Sequence, residues 1–425
     1  MKTQTHFDVI VCGGGPGGIG AALGSRATGA RTLLIERYGY LGGGATAMLV
    51  NPFMPYITGN KQIIHGVFER LLQALAARRA YGAPNQPTAF DPEAFKIVAE
   101  RMCLEAGVDL LYHAYLASAD TDAEGRISRI HLATKGGLLT LTADIFVDAT
   151  GDGDLAAMTG CQVETGRPED GLCQPMTLNF RMAGVDVERM PSRQEFTAMY
   201  IAAKERGEIS CPRENILFFF STQPGVIHFN TTRVVKLDAT DSWQLTAAEI
   251  EARRQVWQLA EFFIKQVPGF ENAYLQMTAP QIGVRESRRV LGKYVLTAED
   301  CLETRKFADA IARGCYNIDI HSPTGEGTVI KRIPPGEWYE IPYRSLLPKG
   351  PGNLLIGSRC ISATHEAHSA IRVMPIVMAI GQAAGVAAGL SVRGNVLPRN
   401  LPVLEIQREL LAQGQSFDKP GLDLP

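Results

Sequence analysis

The sequence contains no Cys-x-x-Cys pair, no zinc-finger spacing, no run of five or more like charges and no internal repeat. Its eight cysteines stand singly, at Cys12, Cys103, Cys161, Cys173, Cys211, Cys301, Cys315 and Cys360. That scatter argues against a dithiol redox centre or a structural zinc site. Unpaired cysteines, with no signal-type apolar run at the start, predict a reducing, cytoplasmic setting. Charge of one sign is also lacking: 42 Lys and Arg face 44 Asp and Glu, a formal net charge of −2. Nothing in that balance calls for nucleic acid as a partner. One long apolar stretch exists, Val373 to Leu390, broken mainly by Gln382. Its Gly, Ala and Pro375 content and its bare spanning length favour a buried, close-packed helix over a membrane span.

Glycine, by contrast, is abundant, at 43 of 425 residues, well above the usual ~7%. Much of the excess falls in three clusters. The length suggests roughly two or three domains. Phe7–Val11 is nearly all apolar and passes directly into Gly13–Gly20, after which small residues run to Ala27 and Arg31–Glu36 is apolar again. Such runs are strands buried on both faces, so the unit reads as β-α-β with a parallel sheet and a right-handed crossover. Helices are predicted over Ile63–Ala80 and from Asp91-Pro92 to about Gly107, the second with an Asp cap and Pro at its first position. Four strand-like runs follow, at Leu110–Ala119, Ile127–Thr134, Leu138–Leu141 and Ile145–Ala149, read as a β-meander inserted into the framework. A long helix is predicted from Thr246, as cap, to Val267. The buried pattern returns with a strand at Asn353–Ile356, a loop, the helix of Val373–Leu390 and a final amphipathic helix over Pro402–Gln413. The small residues of the Val373–Leu390 helix are expected to pack against the sheet. The expected division is a discontinuous first domain of residues 1–160 plus 340–400, a second domain of 161–339, and a C-terminal helix and frayed tail over 401–425.

Gly13-Gly14-Gly15-Pro16-Gly17-Gly18 fits G-x-G-x-x-G. The first glycine allows the tight turn, the second lets a pyrophosphate reach the backbone, and the third lets helix and strand pack closely. The phosphates then lie at a helix N-terminus, where free N–H groups favour anions. The pattern follows a buried strand and opens a helix, and Glu36 stands 18 residues after Gly18 at the end of the next strand. A carboxylate there accepts hydrogen bonds from ribose hydroxyls and repels a 2′-phosphate.

Residues 7–36 resemble the adenosine-binding unit of flavoproteins with the glutathione-reductase-like FAD fold. The segments Leu41–Thr46, Asp148–Asp154, Gly283–Arg289, Ile341–Leu346 and Gly352–Thr364 extend the resemblance over nearly the whole chain, to the FAD-dependent oxidoreductase family labelled FAD_oxidored. The resemblance implies an α/β protein: a Rossmann-like FAD-binding domain, with a parallel sheet and β-meander crossover, carrying an inserted α+β substrate or cap domain. It also implies non-covalently bound FAD. The expected cofactor residues are Gly13, Gly15, Pro16, Gly17, Gly18, Glu36, Arg37, Gly42, Gly43, Ala45, Thr46, Ala149, Thr150, Gly151, Gly357, Ser358 and Arg359. Where many relatives of the broader fold carry an acid for the ribityl chain, this chain has Ser358-Arg359. The N-terminus of the last long helix is expected at the pyrimidine edge of the flavin. There its dipole is worth up to ~2 kcal/mol, or roughly 40 mV of potential.

Substrate chemistry needs a group to manage a proton and groups to hold the substrate. The expected catalytic residues are His321, His368, Arg285 and Arg372, the arginines as anchors for a carboxylate or oxyanion. Tyr343 and Arg344 are further candidates. Arg288 and Arg289 read equally as ion-pair partners. The His365/His368 pair has no third ligand nearby in sequence, so no metal is expected. The expected activity is hydride transfer from a C–OH or C–N bond of a small polar metabolite to flavin N5, by a dehydrogenase or oxidase. A flavin monooxygenase or ene-reductase needing external reduction stays open, as does a flavin-containing RNA-modification or assembly factor. A small molecule is the expected partner, without nucleic acid or membrane.

Overall fold

The computed structural model describes residues 5–417 except residue 326. The expected frayed tail beyond 417 lies outside the described residues. The framework is one seven-stranded sheet. Strand Asp109–Leu111 lies at its edge, followed by Thr32–Ile35, His6–Cys12 and Gly137–Asp148, and Leu354–Ile356 pairs with the end of that last strand. These five are parallel, with Val11 opposite both Leu34 and Val147, and Val147 opposite Leu355. Being parallel, they end together, so the residues after Cys12, Ile35, Asp148 and Ile356 meet along one sheet edge. In open α/β sheets that carboxyl edge is where ligands bind.

The meander differs in detail from the expectation. Leu110–Ala119 is two strands: Asp109–Leu111 completes the parallel sheet, and Tyr115–Thr121 starts the meander. The last two expected runs are one 12-residue strand, Gly137–Asp148. Its first half pairs antiparallel with Ile127–Thr134 and its second half parallel with His6–Cys12. No Gly or Pro stands between Leu141 and Ile145 to break the strand.

Two helices lie back to back over the sheet: Pro16–Ala27, opening at the glycine turn, and Met374–Gly394. The glycines of the second helix were expected against the sheet. They lie instead against the first helix. A Cβ on Gly381 would come within 1.9 Å of the Gly17 carbonyl, and one on Gly385 within 1.9 Å of the Ala21 carbonyl. Backbone thus packs on backbone, a spacing that only residues without side chains permit. The helix is long and apolar enough to cross a membrane, but 94% of its most apolar 18-residue window is buried inside the protein. The expected loop before it contains a further helix, His365–Ile371, capped by Thr364.

A second layer covers the carboxyl edge. It is a four-stranded antiparallel sheet in the order Phe218–Phe220, Ile227–Phe229, Phe180–Ala183, Tyr274–Thr278, backed by helices Arg193–Glu205 and Ser242–Gln266. Its core is aromatic: Phe229 stacks on Phe263 at 4.6 Å and on Phe180 at 5.0 Å. The long helix begins five residues before the expected start, because Asp241, not Thr246, caps it by accepting the Gln244 N–H at 2.8 Å. Its buried side carries Val256, Leu259 and Phe263, while Trp243 and Trp257 face solvent. Buried apolar residues fall into two cores. The second takes Leu49 and residues from Met176 to Val284, whereas Val290, Leu296, Ile311 and Tyr339 belong to the first. The hairpin of strands Ile318–His321 and Thr328–Lys331 reaches the space between the layers.

Candidate active site

A single cleft of about 520 Å³ runs from the glycine turn to that hairpin. At one end, Gly15 is the N-cap of the first helix and Pro16 its first residue, so the helix presents free N–H groups and Pro removes none that the helix needs. Gly13 sits at φ +103°, and a Cβ there would lie 2.5 Å from the Ala149 carbonyl. Glu36 is buried and accepts the Gly14 N–H at 2.7 Å and the Tyr38 N–H at 3.0 Å. Burial pushes its carboxyl above the ordinary range, against these two N–H bonds and Arg37. Each carboxylate oxygen has a second lone pair, so Glu36 can hold the turn and still accept from a ligand hydroxyl.

The next strand end is organised by a residue with no expected role. Asp148 is fully buried and accepts from Thr150 N at 3.1 Å, Thr150 Oγ1 at 2.7 Å and Ala156 N at 2.9 Å. It thereby closes the Ala149–Ala156 turn beside the glycine turn. Burial raises its pKa to about 6 despite those bonds.

Of the expected cofactor residues, Gly13, Gly15, Pro16, Gly17, Glu36, Arg37, Gly43, Ala149, Thr150, Gly151, Ser358 and Arg359 line the cleft. Gly18, Gly42, Ala45, Thr46 and Gly357 do not. A Cβ on Gly18 would meet the Gly13 carbonyl, Gly42 abuts Thr46 and Phe95, and Gly357 abuts Val147 and Ala384. The Thr46 hydroxyl donates to the Leu41 carbonyl at 2.9 Å. These five shape the wall from behind. Val373 and Met374, at the start of the last long helix, line the cleft as well.

At the other end His321, Arg285 and Arg372 come together with Tyr316, Asp319, Arg213, Glu214, Asn215 and Asn230. His321 Nδ1 lies 3.3 Å from Arg233 Nη2, a donor, so the ring hydrogen belongs on Nε2, which faces Asp319 Oδ2 at 3.6 Å. Burial first, then Arg285, pulls the His321 pKa down to about 3, so the imidazole is neutral at pH 7. Asp319 stays ionised: burial opposes this, but His321, Arg372 and the Tyr316 hydroxyl, which donates at 2.6 Å, hold its pKa below the ordinary value. Arg285 donates to the Pro175 carbonyl at 2.7 Å, to Thr177 Oγ1 and to Asn230 Oδ1 at 3.1 Å.

His368 does not share this space. It is 1% exposed on helix His365–Ile371, its Nδ1 has no partner, and burial followed by Arg289, Arg372 and Arg359 keeps it neutral. The helix turns it inward, because the segment is helical where a loop was expected. His365 pairs through Nδ1 with buried Glu286 at 2.8 Å, and Arg289 clamps the same carboxylate and the Ala363 and Gly166 carbonyls. Arg288 pairs with Asp154 at 2.9 Å. Both arginines are thus structural. Tyr343 donates to the Pro398 carbonyl and Arg344 pairs with Asp309, outside the cleft wall. Sequence reasoning missed Asp148, Arg213, Tyr316 and Asp319. Asp319 adjoins the singled-out His321, whereas Arg213 sits in a segment without any motif.

The family model described as FAD dependent oxidoreductase matches residues 8–410. Among curated proteins, the soluble pyridine nucleotide transhydrogenases of Yersinia enterocolitica and Yersinia pestis are each 56% identical to this chain over 46 residues, which is 11% of this chain and 10% of theirs. The chain thus spans about a tenth of the length of the curated relatives it matches. Similar solved structures include the flavin-dependent brominase Bmp2, at 13% identity and TM-score 0.49 over 92% of this chain and 80% of that one. Another is a geranylgeranyl bacteriochlorophyll reductase-like protein from Thermoplasma acidophilum, at 12% identity and TM-score 0.46 over 96% and 87%. The cleft has the parts that FAD requires: a tight glycine turn whose Gly13 and Gly17 lie too close to the Ala149 and Gly357 carbonyls for any Cβ, a helix N-terminus and a buried carboxylate at a strand end.

Proposed function

Because this chain belongs to the FAD-dependent oxidoreductase family, and is thus an enzyme with FAD as cofactor, we propose that it oxidises a C–OH or C–N bond of a small polar metabolite. FAD, when bound, supplies the two-electron acceptor at the flavin N5. In this reading the Gly13–Gly17 turn and the helix behind it hold the diphosphate, Glu36 the ribose, and Ala149–Gly151 with Ser358 the segment between them. The observation that carries the proposal is the grouping of a neutral His321 with Asp319, Arg285 and Arg372 at the far end of the same cleft.

His321 takes the substrate proton at Nδ1, where Arg233 and Thr328 reach it only at a long 3.3 Å. Asp319 faces Nε2–H and supports the positive ring that results. A base with a pKa near 3 is weak in the resting protein. Arg285 and Arg372 are among the charges that hold it down. An anionic substrate bound within reach of their field offsets that effect, so basicity rises when substrate is in place.

The test is anaerobic. The holoenzyme is mixed with alcohols, hydroxy acids, amines and amino acids, and bleaching of the flavin band is followed before and after oxygen is readmitted. At least one compound should bleach it. His321→Ala and Arg285→Ala should each slow bleaching roughly 100-fold or more with FAD still bound. Wild-type rates in both variants would remove these residues from the site. Bleaching by NADPH alone, and by no metabolite, would replace the reading with a monooxygenase or ene-reductase. At the other end of the cleft, Glu36→Ala removes an acceptor of two backbone N–H groups and of the ribose. FAD affinity, read by titration of flavin fluorescence, should fall roughly 10- to 100-fold. Glu36→Gln should fall less, because it keeps one acceptor oxygen.

A further inference from the structure

Four arginines surround the far end of the cleft, and they are not equally matched. Arg233 pairs with Glu214 at 2.8 Å, and Arg372 approaches Asp319 at 3.8 Å. Those two acids account for two of the four charges. Arg285 meets only neutral acceptors, in Pro175, Thr177 and Asn230. Arg213 is 3% exposed, and its side chain makes a single hydrogen bond, from Nε to Asn215 Oδ1 at 3.0 Å. Its Nη1 is buried without a partner, as is Nε of Arg372. Both residues line the cleft.

A buried guanidinium with an idle donor and no counter-charge costs free energy, and such groups normally have a partner. Burial, then the neighbouring Arg233, disfavours the charged form of Arg213. The neighbouring Glu214 charge offsets this only in part, since that carboxylate is engaged by Arg233, Gly327 and Thr328 and makes no hydrogen bond to Arg213. A carboxylate bound in the cleft, which Arg213 lines, would supply the rest of the counter-charge. A guanidinium offers a planar fork that matches a carboxylate.

We propose that the substrate carries a carboxylate and that Arg213 is the residue that receives it. This rests on the reading of the cleft as the site of substrate oxidation, which it narrows to hydroxy or amino acids. Arg285, held in place by three neutral contacts, supplies field and shape, and Arg213 supplies the contact. The enzyme would therefore separate an acid from its amide, two molecules of nearly the same shape.

The test uses the FAD-loaded protein and two pairs of ligands, glycolate with glycolamide and acetate with acetamide. Binding is read by isothermal titration calorimetry and by perturbation of the flavin absorbance at constant ionic strength. The acids should bind at least 10-fold more tightly than the amides. Arg213→Lys keeps the charge and loses the fork; it should weaken acid binding roughly 10- to 100-fold and leave the FAD content unchanged. Amides binding as well as acids would overturn the inference, and so would wild-type acid affinity in the lysine variant. Should that variant fail to fold, the acid–amide comparison on wild type decides alone. The outcome is separable from the proposed activity. If acids bind but no hydroxy or amino acid bleaches the flavin, the oxidation reading fails and the anion site stands. If neutral alcohols or amines bleach it while acids do not bind, the anion site fails and the oxidation stands.

Discussion

Gly381→Ala is expected to destabilise the protein by roughly 3 kcal/mol or more, although residue 381 lines no part of the cleft. Judged by helix propensity alone, the change should help by about 1 kcal/mol, because glycine is a poor residue in a helix interior. The packing reverses the sign. The added methyl would stand 1.9 Å from the Gly17 carbonyl and 2.7 Å from its Cα. Both contacts are backbone, so no rotamer change relieves them, and the two helices must move apart. Gly17 is itself part of the glycine turn, where a Cβ would meet the Gly357 carbonyl at 2.2 Å, so the displacement carries into the FAD cradle. Weaker FAD binding should accompany the lower melting temperature. Gly394→Ala, in the same helix, is the control. Its Cβ would find only Val396 Cγ2, at 3.5 Å, and that variant should gain a few tenths of a kcal/mol from propensity. A Gly381→Ala protein as stable as the control would mean that the helices are not in backbone contact.

This contact also marks how far the sequence could be read. The first strand, glycine turn, helix and Glu36 were legible because three separate constraints fall on adjacent residues: a doubly buried strand, a turn at φ +103° on Gly13, and an acid at the next strand end. Gly381 and Gly385 announced close packing but not its partner, since glycine spacing fits a sheet or a helix equally well. Asp148 was hidden for a different reason. An acid at the end of an apolar strand looks solvated, and only the fold reveals that it is fully buried and closes the following turn. Arg213 left no mark at all. Its meaning lies in what it fails to contact, a property of the packed layers that no periodicity or motif encodes. His368 went the other way: placed by its neighbours in sequence on the cleft wall, it is turned inward by a helix of seven residues.

Stability should fall as pH drops from 7 to 4.5 through three histidines that stay neutral when buried. His228 has both ring nitrogens buried without partners, and burial and then Arg181 keep it uncharged. His368 is kept so by burial and then Arg289, and His321 by burial and then Arg285. For each, the folded pKa lies below the unfolded value of 6.5. Between the two, the unfolded chain binds a proton that the folded chain does not, so unfolding gains as pH falls. Each histidine contributes about 1.4 kcal/mol per pH unit well below 6.5. Asp148 opposes them, as do Glu36 and Asp154, whose carboxyls burial also raises. The folded pKa of Asp148, about 6, lies above that of an unfolded carboxyl, so the folded state takes up its proton first and gains stability as pH falls below 6. Urea midpoints of the holoenzyme in saturating FAD, taken from pH 7 to 4.5, measure the net slope. His228→Phe removes one of the three groups and should flatten it by about 1.4 kcal/mol per pH unit, while Asp148→Asn should steepen it below pH 6. A curve flat from pH 7 to 5 would mean that these imidazoles reach water or a proton acceptor. The neutral His321 on which the catalytic proposal depends would be lost with it.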